Sequence, residues 1–324
     1  MTLSINYPVF CQSESWEKCS HLFGHKAYFV DFPGTRALVI IKNARRGRYM
    51  EIPGGPNIDW NNKSVVKNTT DTLKKIAQEE KCVFVRIRPQ LLDTPENRAT
   101  FKKAGFREAQ MHLAAEHTVI LDLDQPEETL LSNMRRQTRY DVRRSAKLGI
   151  TVEYGNSEEL FREFHSVQAE TAARQDFIPP KLSDLMAERE AFGEFARIYV
   201  ARTAEGAPIA YGLILIDNKD GQPGDNAAYF EAASTDLNRN LPGAYALQWQ
   251  VIKDLKALGI KYYNLWGIAP PGAVNHRYSG VTTFKTGFGG EVISFIPAQD
   301  LVVSKVKYIK NYVVETVRKK KRHL

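Results

Sequence analysis

The sequence predicts an α/β protein of the α+β type, built from two similar domains in tandem. Strand-like and helix-like patterns alternate along its 324 residues. Twice they run in the order strand–strand–helix–strand–short helix–strand. Each round carries a related phrase near its end: Phe101-Lys102-Lys103-Ala104-Gly105-Phe106 in the first, Phe284-Lys285-Thr286-Gly287-Phe288 in the second. Length points the same way, since a domain takes roughly 150 residues.

In the first half, Arg36–Lys42 and Arg48–Pro53 predict strands joined by a basic turn. Ser64–Lys81 has helical spacing and opens at Ser64 after a polar loop. Cys82–Arg88 alternates apolar and basic residues, as a strand does. Glu96–Ala104 predicts a short helix and His117–Leu123 a strand. Arg135–Leu148 is a basic helix stopped by Gly149.

In the second half, Glu158–Arg174 predicts a helix, and Arg197–Arg202, Pro208–Ile216 and Ala227–Ser234 three strands. The Gly/Asp/Asn-rich stretch Asp217–Asn226 is a turn signal between the last two. Gly243–Leu258 (helix), Tyr262–Gly267 (strand), Val281–Lys285 (short helix) and Glu291–Ile296 (strand) complete the round. In the tail, Val302, Val306, Ile309, Val313 and Val317 recur at helical spacing, which predicts one apolar helix face.

Composition excludes several classes. With 43% apolar and 25% charged residues the chain is an ordinary folded protein. No apolar run approaches the ~20 residues that span a bilayer, and the N-terminus has no secretory pattern. Cys11, Cys19 and Cys82 are odd in number and lack CxxC spacing, which fits a reducing cytosol rather than a disulfide framework. The seven histidines show no metal-like pairing, so no metal is expected.

The net charge of +8 is uneven. Residues 305–324 hold eight Lys/Arg against Glu315, and residues 135–147 hold six against Asp141. Two basic blocks on a near-neutral body suggest a polyanionic partner, while a solvated helix face explains either block alone equally well.

Nucleophile and nucleotide motifs (GxSxG, HExxH, Walker A, GxGxxG) are absent. Asn238-Arg239-Asn240-Leu241-Pro242-Gly243-Ala244 lies between a strand and a helix, where free N–H groups suit a phosphate. It faintly resembles an acyltransferase coenzyme-A loop. It has few glycines, and Pro242 removes one donor.

A set of phrases in order resembles the FemABX family of peptidyltransferases. They are Phe10-Cys11-Gln12-Ser13-Glu14-Ser15-Trp16, then Pro53-Gly54-Gly55-Pro56-Asn57-Ile58-Asp59, then Tyr229-Phe230-Glu231-Ala232-Ala233-Ser234 with the helix Tyr245–Lys253 behind it. Tyr263-Asn264-Leu265-Trp266-Gly267-Ile268 and Phe284-Lys285-Thr286-Gly287-Phe288-Gly289-Gly290 close the set. The resemblance spans nearly the whole chain. It implies two tandem GNAT-like acyltransferase domains, residues 1–125 and 126–301, with a C-terminal basic helix (302–324) packing back on the first. The chain has no room for the long helical arm of some members, so it resembles the compact, FemX type.

The activity so implied is transfer of an amino acid from aminoacyl-tRNA to the side-chain amine of a peptidoglycan stem peptide, carried by UDP-MurNAc-pentapeptide or lipid II. Aminolysis of an ester needs positioning, a proton route and oxyanion stabilisation, but no cofactor and no covalent intermediate. The resemblance places Lys285 at the oxyanion and Phe284 in the acceptor pocket. A surface lysine and a core aromatic are the plain alternatives.

Arg174, before Gln175-Asp176-Phe177, matches a diphosphate-binding position by context, unless it merely pairs with Asp176. Asp59 and Tyr229 match polar cleft positions, and Lys18 is a displaced phosphate candidate. Where the family often has Asp-Pro-Tyr, this chain has Arg88-Pro89-Gln90, which leaves the precursor variant open. No general base stands out. Arg135, Arg136, Arg139 and Arg143, with Lys319, Lys320 and Lys321, can hold the tRNA acceptor arm; the tail alternatively lies on the anionic inner membrane face. Two rival readings stay open: a CoA-dependent N-acyltransferase on the same fold, and a non-catalytic nucleic-acid or membrane adaptor.

Overall fold

The computed structural model describes residues 9–45, 47–175, 178–274 and 276–322, with side chains described through 319. The chain forms two units, Met1–Glu116 with Ile293–Leu324, and His117–Val292.

The first unit opens with α1 (Glu14–Leu22), capped by the Ser13 hydroxyl oxygen, which accepts the Trp16 N–H at 3.1 Å. Strands β1 (Lys26–Phe32), β2 (Thr35–Ala44) and β3 (Gly47–Gly54) follow. Helix α2 (Lys63–Glu79) is capped by Asn62 rather than opened by Ser64, because the Asn62 side chain accepts the N–H groups of Ser64 and Val65. Then come β4 (Phe84–Pro89), α3 (Pro95–Lys103), with Thr94 as cap and a proline at its start, and β5 (Phe106–Glu108).

The second unit holds β6 (His117–Asp122), α4 (Glu127–Asn133), α5 (Arg136–Lys147), β7 (Thr151–Gly155), α6 (Glu158–Gln175) and α7 (Leu182–Phe192). It continues through β8 (Ala196–Arg202), β9 (Pro208–Lys219), β10 (Gln222–Ser234), α8 (Gly243–Ala257), β11 (Tyr262–Gly267), α9 (Ser279–Thr286) and β12 (Glu291–Ser294). The chain ends with β13 (Gln299–Val302) and α10 (Lys305–Arg322).

Both sheets share a plan. The first runs β1-β2-β3-β4-β13-β5 and the second β12-β6-β11-β10-β9-β8-β7. In each, an antiparallel run ends in one parallel pair, β3 with β4 and β10 with β11, joined by a crossover helix, α2 or α8. The duplication expected from the element order is therefore present as β2-β3-α2-β4-α3-β5 and β9-β10-α8-β11-α9-β12. One pairing within it differs from expectation. The counterpart of β12 is the short β5, not the strand at His117.

That strand, β6, pairs with β11 in the second sheet, and β13 lies between β4 and β5 in the first. Each sheet thus takes its penultimate strand from the chain segment that a linear reading gives to the other domain. The division accordingly falls before His117 and again before Ile293, where a contiguous reading placed it after residue 125 and after residue 301.

The first core is built by strand alternation: Val39 and Ile41, Met50 and Ile52, and Val85 and Ile87 share one face with Leu73 and Ala77 of α2. Trp60 fills it against Phe101, ring centroids 4.4 Å apart. Helix α10 packs on this unit, as expected of a tail helix, but through the opposite face. Tyr308, Asn311 and Glu315 are buried. The Arg86 guanidinium takes Asp300 in two hydrogen bonds of 2.7 and 2.9 Å and Glu315 at 2.8 Å, and the Tyr308 hydroxyl donates to Asp300 at 2.8 Å. Buried charges need partners, so the polar face turns inward and the valine stripe outward. Val302 falls in β13 instead and is half-buried beside Tyr308.

Candidate active site

The site in the second unit starts from the end of β11. The Asn264 side chain accepts the Trp266 N–H at 2.8 Å and also the Thr118 hydroxyl of β6. With Asn264 so engaged, the β11–β6 register shifts between Asn264 and Gly267. Trp266 takes φ 62°, the left-handed region that a bulky residue seldom enters. Its ring packs edge-on to Phe230, centroids 5.8 Å apart.

The Gly267 carbonyl that follows receives Lys285. This lysine stands in the last turn of α9, and its Nζ donates to Gly267 O at 2.9 Å. The same Nζ lies 5.7 Å from the centre of the Tyr229 ring. Lys285 is 8% exposed, and no carboxylate pairs with it among the described residues. Burial alone pulls its pKa down to about 7. An amine at that point is held between charged and neutral forms near physiological pH.

Tyr229 is buried on β10, and burial pushes its phenol up to about 12, so the ring stays neutral. Gly212 makes its seat: a Cβ there would lie 2.7 Å from Tyr229 Cε2 and 3.2 Å from Leu247 Cδ2. Phe284, one residue before Lys285, is half-buried. It meets Tyr245 and Phe288 edge-on, each at 5.2 Å between centroids. The glycines after Lys285 allow close backbone contact. A Cβ at Gly289 would lie 2.3 Å from the Asn133 carbonyl oxygen, and one at Gly290 2.7 Å from that of Ile120.

Arg174 ends α6 and turns to the end of β10. Its Nη2 donates to the Ser234 carbonyl and, at 3.2 Å, to Thr171 Oγ1; its Nε is 3.6 Å from Asp236. Asp176 and Phe177 lie outside the described residues. Asp59 and Lys18 belong to the first unit, and both are exposed. Asp59 accepts the Asn61 N–H at 3.0 Å in a local turn. The structure therefore brings Lys285, Phe284 and Tyr229 into one region of the second unit and sets Arg174 of α6 against the end of the strand that carries Tyr229.

The basic blocks divide by role. Arg135 Nη2 donates to Thr283 O at 3.0 Å, and Arg139 Nη1 to the carbonyls of Ser132 and Met134 at 2.6 and 2.5 Å. These two brace α4, α5 and α9. Arg136 and Arg143 are exposed and, with Tyr140 and Lys147, follow one stripe along α5 at spacings of four, three and four. Lys319 is half-buried, and the side chains of Lys320 and Lys321 lie outside the described residues.

The candidate phosphate turn before α8 is occupied by the protein itself. Asn238 Oδ1 accepts the Ala244 N–H at 3.1 Å, and Arg239 pairs with Asp236 at 3.3 Å. Arg88, in the departure from the family pattern, is buried, donates to Gln90 at 3.0 Å and stacks 5.0 Å from the Phe295 ring centre.

Sequence reasoning missed two carboxylates. Glu231, two residues beyond Tyr229, accepts Gln168 Nε2 at 2.7 Å, and burial with nearby Asp184 pushes its pKa up to about 7. Glu188 of α7 is buried, and its pKa is raised well above the usual range by that burial and by Glu231. A carboxylate inside the otherwise apolar run Ala227–Ser234 was the available signal. No helix is long and apolar enough to cross a membrane, and no group of acids, histidines and cysteines could hold a metal ion, among the described residues.

The sequence matches the FemAB family model over residues 5–99, 97–205 and 185–316. It is 20% identical over 361 residues to "Aminoacyltransferase FemA" of Staphylococcus aureus (strain bovine RF122 / ET3-1), covering 86% of this chain and 84% of that protein. Over 135 residues it is 29% identical to the "Lipid II:glycine glycyltransferase" of Staphylococcus aureus, 39% of this chain and 32% of that one. The crystal structure of FemX superposes with TM-score 0.80 at 18% identity over 95% of both chains. A tandem GNAT protein from the clavulanic acid pathway does so with TM-score 0.52 at 12% identity, over 86% of this chain and 83% of that one. Both structures share the fold.

Proposed function

The chain belongs to the FemAB family, and from that premise we propose that this transferase moves an amino acid from aminoacyl-tRNA to the side-chain amine of a peptidoglycan stem peptide, soluble or lipid-linked. The observation that carries the reading is the desolvated Lys285 amine, held at Gly267 in the Phe284–Gly290 phrase.

The substrate amine attacks the ester carbonyl, the new C–N bond forms, and the tRNA ribose oxygen leaves with a proton. Lys285, as an ammonium in a site poor in water, stabilises the oxyanion of the tetrahedral intermediate. Phe284 lines the acceptor pocket. Within the second unit, Arg174 serves the precursor diphosphate and Tyr229 holds its polar groups. The exposed stripe Arg136, Tyr140, Arg143 and Lys147 takes the acceptor arm: three cations meet backbone phosphates, and the phenol ring offers a face for stacking.

The test is a transfer assay. Bulk tRNA charged with labelled amino acids is mixed with purified protein and either UDP-MurNAc-pentapeptide or lipid II, with an RNase-treated control. The expected result is label on the stem peptide only with intact tRNA. Label that stays on tRNA with both acceptors, while an acyl-CoA is consumed with an amine acceptor, replaces this reading with CoA-dependent acylation.

A further inference from the structure

Helix α10 is amphipathic in an unusual sense. Its inward face is polar and aromatic: Tyr308, Asn311 and Glu315 are buried and satisfied by Asp300, Arg86 and one another. Its outward face is aliphatic. Val306, Ile309, Val313 and Val317 are 83%, 60%, 54% and 47% exposed, and their spacings of three, four and four residues put them on one stripe. A half-turn of helix separates this stripe from the buried residues. Contiguous exposed aliphatic side chains of this kind mark a surface that is covered in use.

The charges beside the stripe identify the cover. Lys305, Lys307, Lys310 and Arg318 are exposed. Glu315, the only acid in the helix sequence, is turned inward to Arg86. The outward face is therefore aliphatic and cationic, without an acid among its described residues. A second copy of this helix would bring like charges together with nothing to neutralise them. A nucleic acid would take the cations but leave the valines in water. An anionic bilayer satisfies both, with side chains entering the headgroup–acyl boundary and ammonium groups meeting lipid phosphates.

We propose that the Val306–Ile309–Val313–Val317 face of α10, flanked by Lys305, Lys307, Lys310 and Arg318, docks the protein on an anionic phospholipid surface. The proposal uses no residue of the Lys285 site and stands whichever donor that site takes.

The test is co-sedimentation of the full chain with vesicles of phosphatidylcholine alone or mixed with phosphatidylglycerol. Wild type is expected to bind the anionic vesicles at least about tenfold more tightly than the neutral ones. The variant V306S/I309S/V313S keeps every charge and alters only exposed positions. It is expected to lose about tenfold or more of the anionic-vesicle affinity, with an unchanged circular-dichroism melting curve and unchanged tRNA affinity. Equal binding to both vesicles overturns the proposal. So does a serine variant that binds anionic vesicles like wild type, since basic residues alone would then suffice. A serine variant that loses tRNA affinity assigns the face to nucleic acid. A wild-type dimer that the serine variant converts to monomer assigns it to a second copy.

Discussion

Lys285 is held by Gly267, its amine 2.9 Å from a carbonyl oxygen that follows the left-handed Trp266. The carbonyl offers a single neutral acceptor to a buried cation, which is too little to restore the usual lysine pKa, so burial wins and the value falls to about 7. If the ammonium form stabilises the oxyanion, kcat/KM, which reports free-enzyme ionisations, falls as pH rises through about 7. Lys285→Arg keeps its charge at all these pH values and is expected to lose that falling limb while retaining reduced activity. A profile that rises through the same pH in wild type, and not in Lys285→Arg, would make Lys285 a proton acceptor instead.

The same amine destabilises the fold. Its folded pKa of about 7 lies below the ordinary 10.5. Between these values the unfolded state binds the extra proton, so stability rises with pH across that window and is lowest below it. Lys285→Met removes the charge at similar length. The variant is expected to be more stable than wild type at pH 6, with the advantage shrinking toward pH 10, and to lose transfer activity by about a hundredfold or more. Urea unfolding at several pH values, beside the transfer assay, reads both. A stability difference that does not change with pH would mean the lysine is solvated in solution.

Along α5, the exposed cations and the bracing cations should separate in their effects. Arg136→Gln/Arg143→Gln/Lys147→Gln is expected to weaken tRNA binding and to reduce the magnitude of the salt-dependence slope by roughly two to three, near one for each phosphate no longer neutralised. Arg135→Gln and Arg139→Gln remove donors to the Thr283, Ser132 and Met134 carbonyls. They are expected to lower the melting temperature while changing the salt slope less. Filter binding over a salt series, with melting curves, distinguishes the two. An unchanged slope in the triple variant would move the tRNA to another surface.

Local pattern was enough for the two rounds of elements and for placing Lys285 on a short helix, because period and capping are written within a dozen residues. It did not reveal which sheet a strand joins. β6 has an ordinary strand pattern, whereas the four residues of β13 show none and Val302 reads as part of the tail helix; where each pairs depends on partners far away in sequence. The tail shows the same limit. Its apolar period correctly announced a helix, but the face that packs was chosen by Arg86 and Asp300, which bury Glu315 and Tyr308 from more than two hundred residues off or from the neighbouring strand. At the site, the left-handed Trp266 sits beside Asn264, which holds the Trp266 N–H and, across 146 residues, the Thr118 hydroxyl, and nothing in Leu265-Trp266-Gly267 announces that conformation.

That Arg86 cluster supplies the last test, because it ties β4, β13 and α10 together. Asp300 is fully buried and meets Arg86 with both oxygens, while Glu315 takes the remaining side of the guanidinium. Removing Asp300 takes from the buried Arg86 its two-bond partner, leaving it on Glu315, and takes from the Tyr308 hydroxyl its acceptor, so Asp300→Ala is expected to destabilise the protein by about 3 kcal/mol. The paired replacement Arg86→Met/Asp300→Leu removes the charge together with its main partner and is expected to restore most of that loss. Glu315, itself buried, then keeps the Asn311 side chain as a donor, which stops the recovery short of complete. Urea midpoints for wild type and the two variants measure the difference. If the double replacement is no more stable than Asp300→Ala, the hydrogen bonds of the cluster stabilise the fold by more than burying its charges costs.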